Sequence, residues 1–299
     1  MDIVTHAGIG LIAASPFLET HPEVALGLAA GSVLPDLDAC ARLIAKSTFL
    51  RAHQTWSHAI PVQLAAAVIV GIAGDLFGGH GLALAAGLFA GSFIHTLLDM
   101  TNTFGVAWLL PLSSRRVCFE WVFFIDAVMF AATLLTLALM IPNWIGAGEV
   151  SGWYAAIFFA FCFAYILIKG MLRKRAGSYC AEARSLVPSA LVPWRFYGAE
   201  ISRDSVTLFH VNAINGNRRV LERQSLFDAT YLPALEASPD FRAMRQLSTA
   251  YHVIRAEQEG ETMRLLCRDL RIRNFGTRFG DLEVWLDKNH QIIRSTFHA

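Results

Sequence analysis

The chain has 299 residues, 55% hydrophobic and 16% charged, with a mean hydropathy of +0.44. That is too apolar for an ordinary soluble enzyme. A net charge of +1 supplies no concentrated basic stripe, so no nucleic-acid partner is expected.

Taken in chain order, two short apolar runs come first, 7–18 and 23–34, on either side of Glu19-Thr20-His21-Pro22. Both are too short to cross a bilayer and read as an N-terminal hairpin of re-entrant or interfacial helices. Four longer apolar runs follow at 59–77, 81–98, 119–141 and 152–168. Each reaches the roughly 17–25 residues that a crossing needs. The first two are rich in Ala and Gly, which lets helices approach closely in lipid. Beyond 175 the character changes. Residues 206–211, 263–267 and 282–286 read as strands, Asn215-Gly216 and Glu259-Gly260 as loop signals, and a helix fits around 234–250.

Charge follows the same division. Residues 1–175 hold 9 of the 25 Lys+Arg and 10 of the 24 Asp+Glu, leaving 16 and 14 for 176–299. The expected fold is an α-helical membrane bundle of about four crossings with the short N-terminal hairpin, followed by a soluble β-rich or α+β domain. The expected domains are 1–175, membrane-embedded and metal-binding, and 176–299, soluble. The five cysteines are scattered without a CxxC pair, so neither a disulfide framework nor a cysteine zinc site is expected. Met1–His6 lacks a basic n-region and does not read as a signal peptide.

The stretches 35–58, 99–118 and 169–175 contain Arg42, Lys46, Arg51, Arg115, Arg116, Lys169, Arg173, Lys174 and Arg175, whereas 78–80 and 142–151 contain no Lys or Arg. By the positive-inside rule the basic stretches, and everything after 175, face the cytoplasm.

Ionisable residues in or beside a bilayer core suggest function. His6, Asp36, Asp38, His53, His58, His95, Asp99 and Asp126 form the candidate metal-binding set. His95 and Asp99 are four apart and share one helix face. Imidazole nitrogen and carboxylate oxygen are ordinary zinc ligands. Alone, that pair is as well explained by a capping Asp beside a packed His. The topology changes the weighing, because it brings all eight residues to one membrane face. So many ligands suit one or two divalent ions, zinc first, with manganese or iron also suited. Asp36 or Asp38 could serve as general base. Arg115 and Arg116 could neutralise an anionic substrate or simply anchor the loop. His21, His80, Asp75, His210, His252, His290 and His298 read as structural.

The order Met1-Asp2-x-x-Thr5-His6, Gly31-Ser32-Val33-Leu34-Pro35-Asp36-Leu37-Asp38, His53-Gln54-Thr55-Trp56-Ser57-His58 and His95 through Gly105 resembles the membrane-bound metal-dependent hydrolases of the bacterial inner membrane, the DUF457-like family. Glu120-Trp121-Val122-Phe123-Phe124-Ile125-Asp126 resembles its later pattern. The resemblance implies hydrolase activity and a distant similarity to zinc-dependent phospholipase C. Gln54 stands where an Arg is common in the family.

The leading expectation is therefore metal-dependent hydrolysis of an ester or phosphoester in a lipid or lipid-linked substrate. The alternatives are a metal-stapled scaffold, and a metal transporter or sensor. Transport would need polar residues continuing through the bundle, and 59–77 and 152–168 offer almost none.

Overall fold

Asp2 starts the first helix. Its carboxylate accepts the Thr5 amide at 2.9 Å and the Thr5 hydroxyl at 2.6 Å, satisfying a backbone donor that the helix itself leaves open. The structure, a computed structural model, describes residues 1–43, 54–145, 152–183, 185–202, 205–225, 228–248, 250–269 and 280–298. It divides into two compact units, Met1–Ala41 with Ala52–Gly170 in one and Arg42–Arg51 with Met171–Ala299 in the other.

In the first unit, α1 (Ile3–Ala14) and α2 (Pro22–Gly31) form the N-terminal hairpin, joined through a single 3-10 turn at Ser15–Phe17. Pro22 opens α2 at the one position where a missing N–H costs nothing. A 3-10 segment, Leu34–Leu43, carries the chain onward. After a short turn at Trp56–His58 come α3 (Ile60–Phe77) and α4 (Gly81–Met100). Asp75 caps their connection by accepting the Gly81 amide at 2.7 Å.

The pair α5 (Ala127–Ile145) and α6 (Trp153–Tyr179) completes the helical set. The third long apolar run begins its helix at Ala127 rather than at 119, because the Asp126 carboxylate accepts the amides of Val128 and Met129 at 3.1 and 3.2 Å. Residues 119–122 instead donate backbone hydrogen bonds to the carbonyls of Met100, Thr101 and Asn102. By length and composition α3, α4, α5 and α6 can each cross a membrane.

What fixes α2 against α4 is an absence of side chains. Gly27 and Gly31 on α2 face Gly87 and Gly91 on α4. A Cβ at Gly31 would collide with the Leu88 carbonyl, and one at Gly87 with the Val24 carbonyl. Both pairs have the small-x-x-x-small spacing that lets backbones touch in lipid. Ser92 then donates to the Gly31 carbonyl at 3.1 Å across the seam.

The second unit holds two antiparallel sheets of four strands, ordered β1 (Ser185–Pro188), β2 (Arg195–Ile201), β3 (Ser205–Asn212), β4 (Arg218–Ser225), and β5 (Tyr251–Glu259), β6 (Thr262–Asp269), β7 (Asp281–Leu286), β8 (Ile292–His298). Two short helices, α7 (Asp228–Leu235) and α8 (Pro239–Leu247), connect the sheets. Their Leu235, Phe241 and Met244 join the core of the second sheet with Tyr251, Leu265, Leu282 and Val284. The first sheet packs Leu186, Phe196, Phe209 and Val211 against Leu172, Ala176 and Cys180 from the end of α6. The sequence-expected strands coincide with β3, β6 and β7. The single expected helix is two, parted at Ser238-Pro239.

Candidate metal centre

Four side chains of the first unit converge where α4 ends. Asp36 comes from the 3-10 segment, His58 from the turn before α3, and His95 and Asp99 from one face of α4. All four are buried, and one ligand atom from each lies within 4.8 Å of the others. His58 Nε2 is 3.1 Å from His95 Nε2 and 3.3 Å from Asp99 Oδ2. Asp36 Oδ1 is 3.7 Å from His58 Nε2 and 3.5 Å from His95 Nε2, and His95 Nε2 is 3.6 Å from Asp99 Oδ2. A tetrahedral ion with bonds of about 2.0–2.1 Å separates its ligand atoms by about 3.3–3.4 Å. Five of the six edges of this cluster bracket that value, so the residues fit a small divalent cation.

The hydrogen bonds behind the cluster decide where the imidazole protons sit. His95 Nδ1 is 2.7 Å from the Ser32 carbonyl. A carbonyl only accepts, so Nδ1 carries the proton and Nε2 presents a lone pair. His58 Nδ1 is 2.9 Å from Ser57 Oγ, whose own proton goes to Asp38 Oδ2 at 2.6 Å. His58 Nδ1 therefore donates, and its Nε2 also presents a lone pair. Two lone pairs facing each other at 3.1 Å repel unless a proton or a metal cation lies between them. Orientation of a ligand's far nitrogen by a carbonyl or carboxylate is what metal sites use.

The charges agree with that arrangement. Burial works against ionisation of Asp36, but hydrogen bonds to His58 and His95 outweigh it and hold the carboxyl below the usual carboxylate range. Burial would lower His58, yet its hydrogen bonds to Asp36 and Asp38 leave it raised. Without an ion, a proton on His58 Nε2 would take the cation's place between the two imidazoles.

The other sequence-expected residues divide sharply. His6, on α1, stacks on the His95 ring at 3.6 Å between centroids, and its Nε2 lies 3.1 Å from Asp99 Oδ1. It therefore adjoins the cluster through the second oxygen of Asp99, which also meets the Met1 amino group and, at 3.2 Å, the Asn102 amide. Asp38 stands behind His58, 3.5 Å from Nδ1, rather than among the four ligand atoms. Asp126 is placed apart, as the cap of α5, where Tyr165 donates to both its oxygens at 2.9 and 3.1 Å and Lys169 Nζ lies 3.9 Å away. His53 lies outside the described residues. His80 is exposed beside Glu23, and His210 packs edge-on to Tyr197.

Residues not singled out as site members complete the shell. Gln54 donates from Nε2 to Asp99 Oδ2 at 3.1 Å and from its backbone to Asp38 at 3.1 Å. It holds a left-handed backbone (φ 58°), uncommon for a residue with a side chain. Arg116 is half-buried and donates to the Gly105 carbonyl at 3.1 Å. Burial lowers its pKa while the Asp38 charge opposes that. Arg115 is exposed. Asn102 lies three residues after Asp99, just past the end of α4, and its amide reaches back to that carboxylate. The Ser32 carbonyl had no signature in the sequence.

Residues 1–176 match the YdjM inner membrane protein family. The chain belongs to that family. It is also similar to the uncharacterized protein YfhP of Bacillus subtilis (strain 168), with 27% identity over 150 residues, 46% of each chain. It thus spans about half the length of that curated relative. No solved structure matches the chain. Every member of the four-residue cluster falls inside the family-matched segment, and the family's inner-membrane setting agrees with the four long apolar helices.

Proposed function

We propose that this family member is a membrane-bound metal-dependent hydrolase that cleaves an ester or phosphoester of a lipid or lipid-linked substrate. The carrying observation is the convergence of His58 Nε2 and His95 Nε2 with Asp36 and Asp99, one buried ligand atom from each lying within 4.8 Å of the others. Asp36, His58, His95 and Asp99 would hold the ion, zinc by the donor set, with manganese or iron also suited. His6 would support Asp99 or help hold a second ion. When bound, such an ion polarises a carbonyl or phosphoryl oxygen and makes its water acidic.

The chain's own groups supply the rest. Asp36 is 6% exposed while His58, His95 and Asp99 are fully buried, so water and substrate approach along Asp36. Its carboxylate can take a proton there. Asp38, through Ser57, keeps His58 in the tautomer that points Nε2 inward. Arg116 can pair with an anionic phosphoester in the fork geometry that guanidinium favours. The likeness to zinc-dependent phospholipase C read from the sequence accords with this chemistry. The nine-to-zero division of basic residues supports a cytoplasmic face for the site.

The test is elemental analysis of protein purified without chelators, followed by assays on ester and phosphoester lipids. Wild type should retain a divalent ion and turn over. His95→Ala and Asp99→Ala should each lose most of both, while His210→Ala keeps both. Wild-type protein without metal would overturn the proposal. Metal without hydrolysis on any lipid ester would reduce the site to a structural staple.

A further inference from the structure

Two neighbouring cavities run along one side of α4. The first, about 420 Å³, is lined by Ala13, Pro16, Phe17, Leu28, Ile94 and Phe159, with Gly152 just before α6 and Ala155 and Ala156 on it. The second, about 380 Å³, is lined by Ile9, Leu97, Leu98, Thr101, Cys162 and Phe163, among others. Ile94 and Phe159 belong to both. Together the cavities form one open apolar groove, a channel along the surface between α1, α4 and α6, entirely within the first unit.

Three features say what fills it. First, α4 and α6 are both of membrane-crossing length and apolarity, so the medium beside the channel is hydrocarbon. Second, the lining is aliphatic and aromatic, with Thr101 spending its hydroxyl on the Leu98 carbonyl at 2.6 Å. A polar ligand would find no partner there. Third, two helices carry residues of both the channel and the candidate metal centre. Leu98 directly precedes Asp99 on α4, and Ile9 lies one turn from His6 on α1. Its lining on α6 runs from Ala155 to Ile166, about 17 Å at 1.5 Å per residue. One leaflet's hydrocarbon is about half of a ~30 Å core, so the channel is long enough to lay out one acyl chain.

We infer that the channel between α1, α4 and α6 binds a single acyl chain of the lipid substrate, with the lipid's head group at the His/Asp cluster. The inference rests on the hydrolase reading for the role of the head group, while acyl binding itself stands on the channel. The rim residues Leu97 and Phe163 are exposed, which lets a chain enter sideways from the bilayer without passing through water.

The test uses full-length protein in lipid nanodiscs with phosphatidylglycerol carrying a diazirine in one acyl chain. After irradiation, adducts should concentrate on Ile94, Leu97, Phe159 and Phe163 and should fall when unlabelled phosphatidylglycerol is added. Leu97→Trp and Ala156→Trp, at exposed positions in the two halves, should each reduce those adducts several-fold while metal content stays unchanged. His95→Ala should lose metal but keep the adducts, so failure of the metal reading is separable from failure of the channel. Adducts of equal yield on the exposed Ile69 and Ile72 of α3 would mean ordinary boundary lipid and would overturn the inference. So would undiminished channel labelling in both tryptophan variants.

Discussion

Asp36 and Asp38 are two residues apart, and nothing in the sequence separates their roles. The structure separates them: Asp36 faces both Nε2 atoms, and Asp38 holds the other end of His58 through Ser57. By contrast His95 and Asp99 were legible, because helical spacing alone stacks residues four apart. The Ser32 carbonyl that fixes His95 could not be read, since a backbone oxygen carries no side-chain signature. Groups that orient a ligand commonly cost ~10–100-fold in metal affinity when removed. Asp38→Asn and Gln54→Ala are therefore expected to keep the fold and weaken metal binding by about that range. Removal of a true ligand such as Asp36 should cost more than either. Competition titration against a chelator of known affinity measures all three. Equal losses for Asp36→Ala and Asp38→Asn would show that Asp38 reaches the ion directly.

At the scale of elements, length and apolarity marked the four long helices, but the boundaries followed local chemistry that hydropathy averages away. Asp126 looked like an intramembrane carboxylate because the run from 119 is apolar. It is a cap, and the helix starts after it. Ala and Gly enrichment correctly suggested close packing, although it gave no partner for the short α2. The seam couples packing to the site, since Gly31 immediately precedes Ser32, whose carbonyl holds His95. Gly31→Leu should push the Leu88 carbonyl away, destabilise the unit by about 1–3 kcal/mol and release metal along with it. Gly78→Ala is the control, because a Cβ there meets nothing closer than the Gly74 carbonyl at 3.7 Å. Thermal unfolding in detergent, with metal content measured beside it, reads both effects. Unchanged melting of the Gly31 variant would show that the seam is looser than its geometry.

For the whole molecule, the composition shift announced a second kind of structure without giving its architecture. β3, β6 and β7 were readable because inward and outward residues alternate or their apolar runs are dense. β1 was not: four residues ending in Pro188 make a weak signal, tolerable only at the sheet edge it occupies. Orientation is a matter for this scale too. Reporter fusions after 146 should lie outside, and fusions after 175 or at 299 in the cytoplasm, given where Lys and Arg concentrate. An external C-terminus would reverse that assignment. We further expect the second unit to fold by itself, provided the fragment starts where its core starts. Composition sets the boundary at 175, but Leu172, Ala176 and Cys180 pack with Phe196, Phe209 and Val211. A fragment from Met171 retains that helical lid. One from Ala181 exposes the apolar face of the first sheet, and leaving even one side chain such as the buried Leu186 in water costs about 1.5–3 kcal/mol. The 171–299 fragment should be soluble, β-rich by circular dichroism and cooperative in its melt. The 181–299 fragment should melt lower and bind a hydrophobic dye. Equal stability of the two would show that the end of α6 contributes nothing to the sheet. An insoluble 171–299 fragment would show that the unit depends on the rest of the chain.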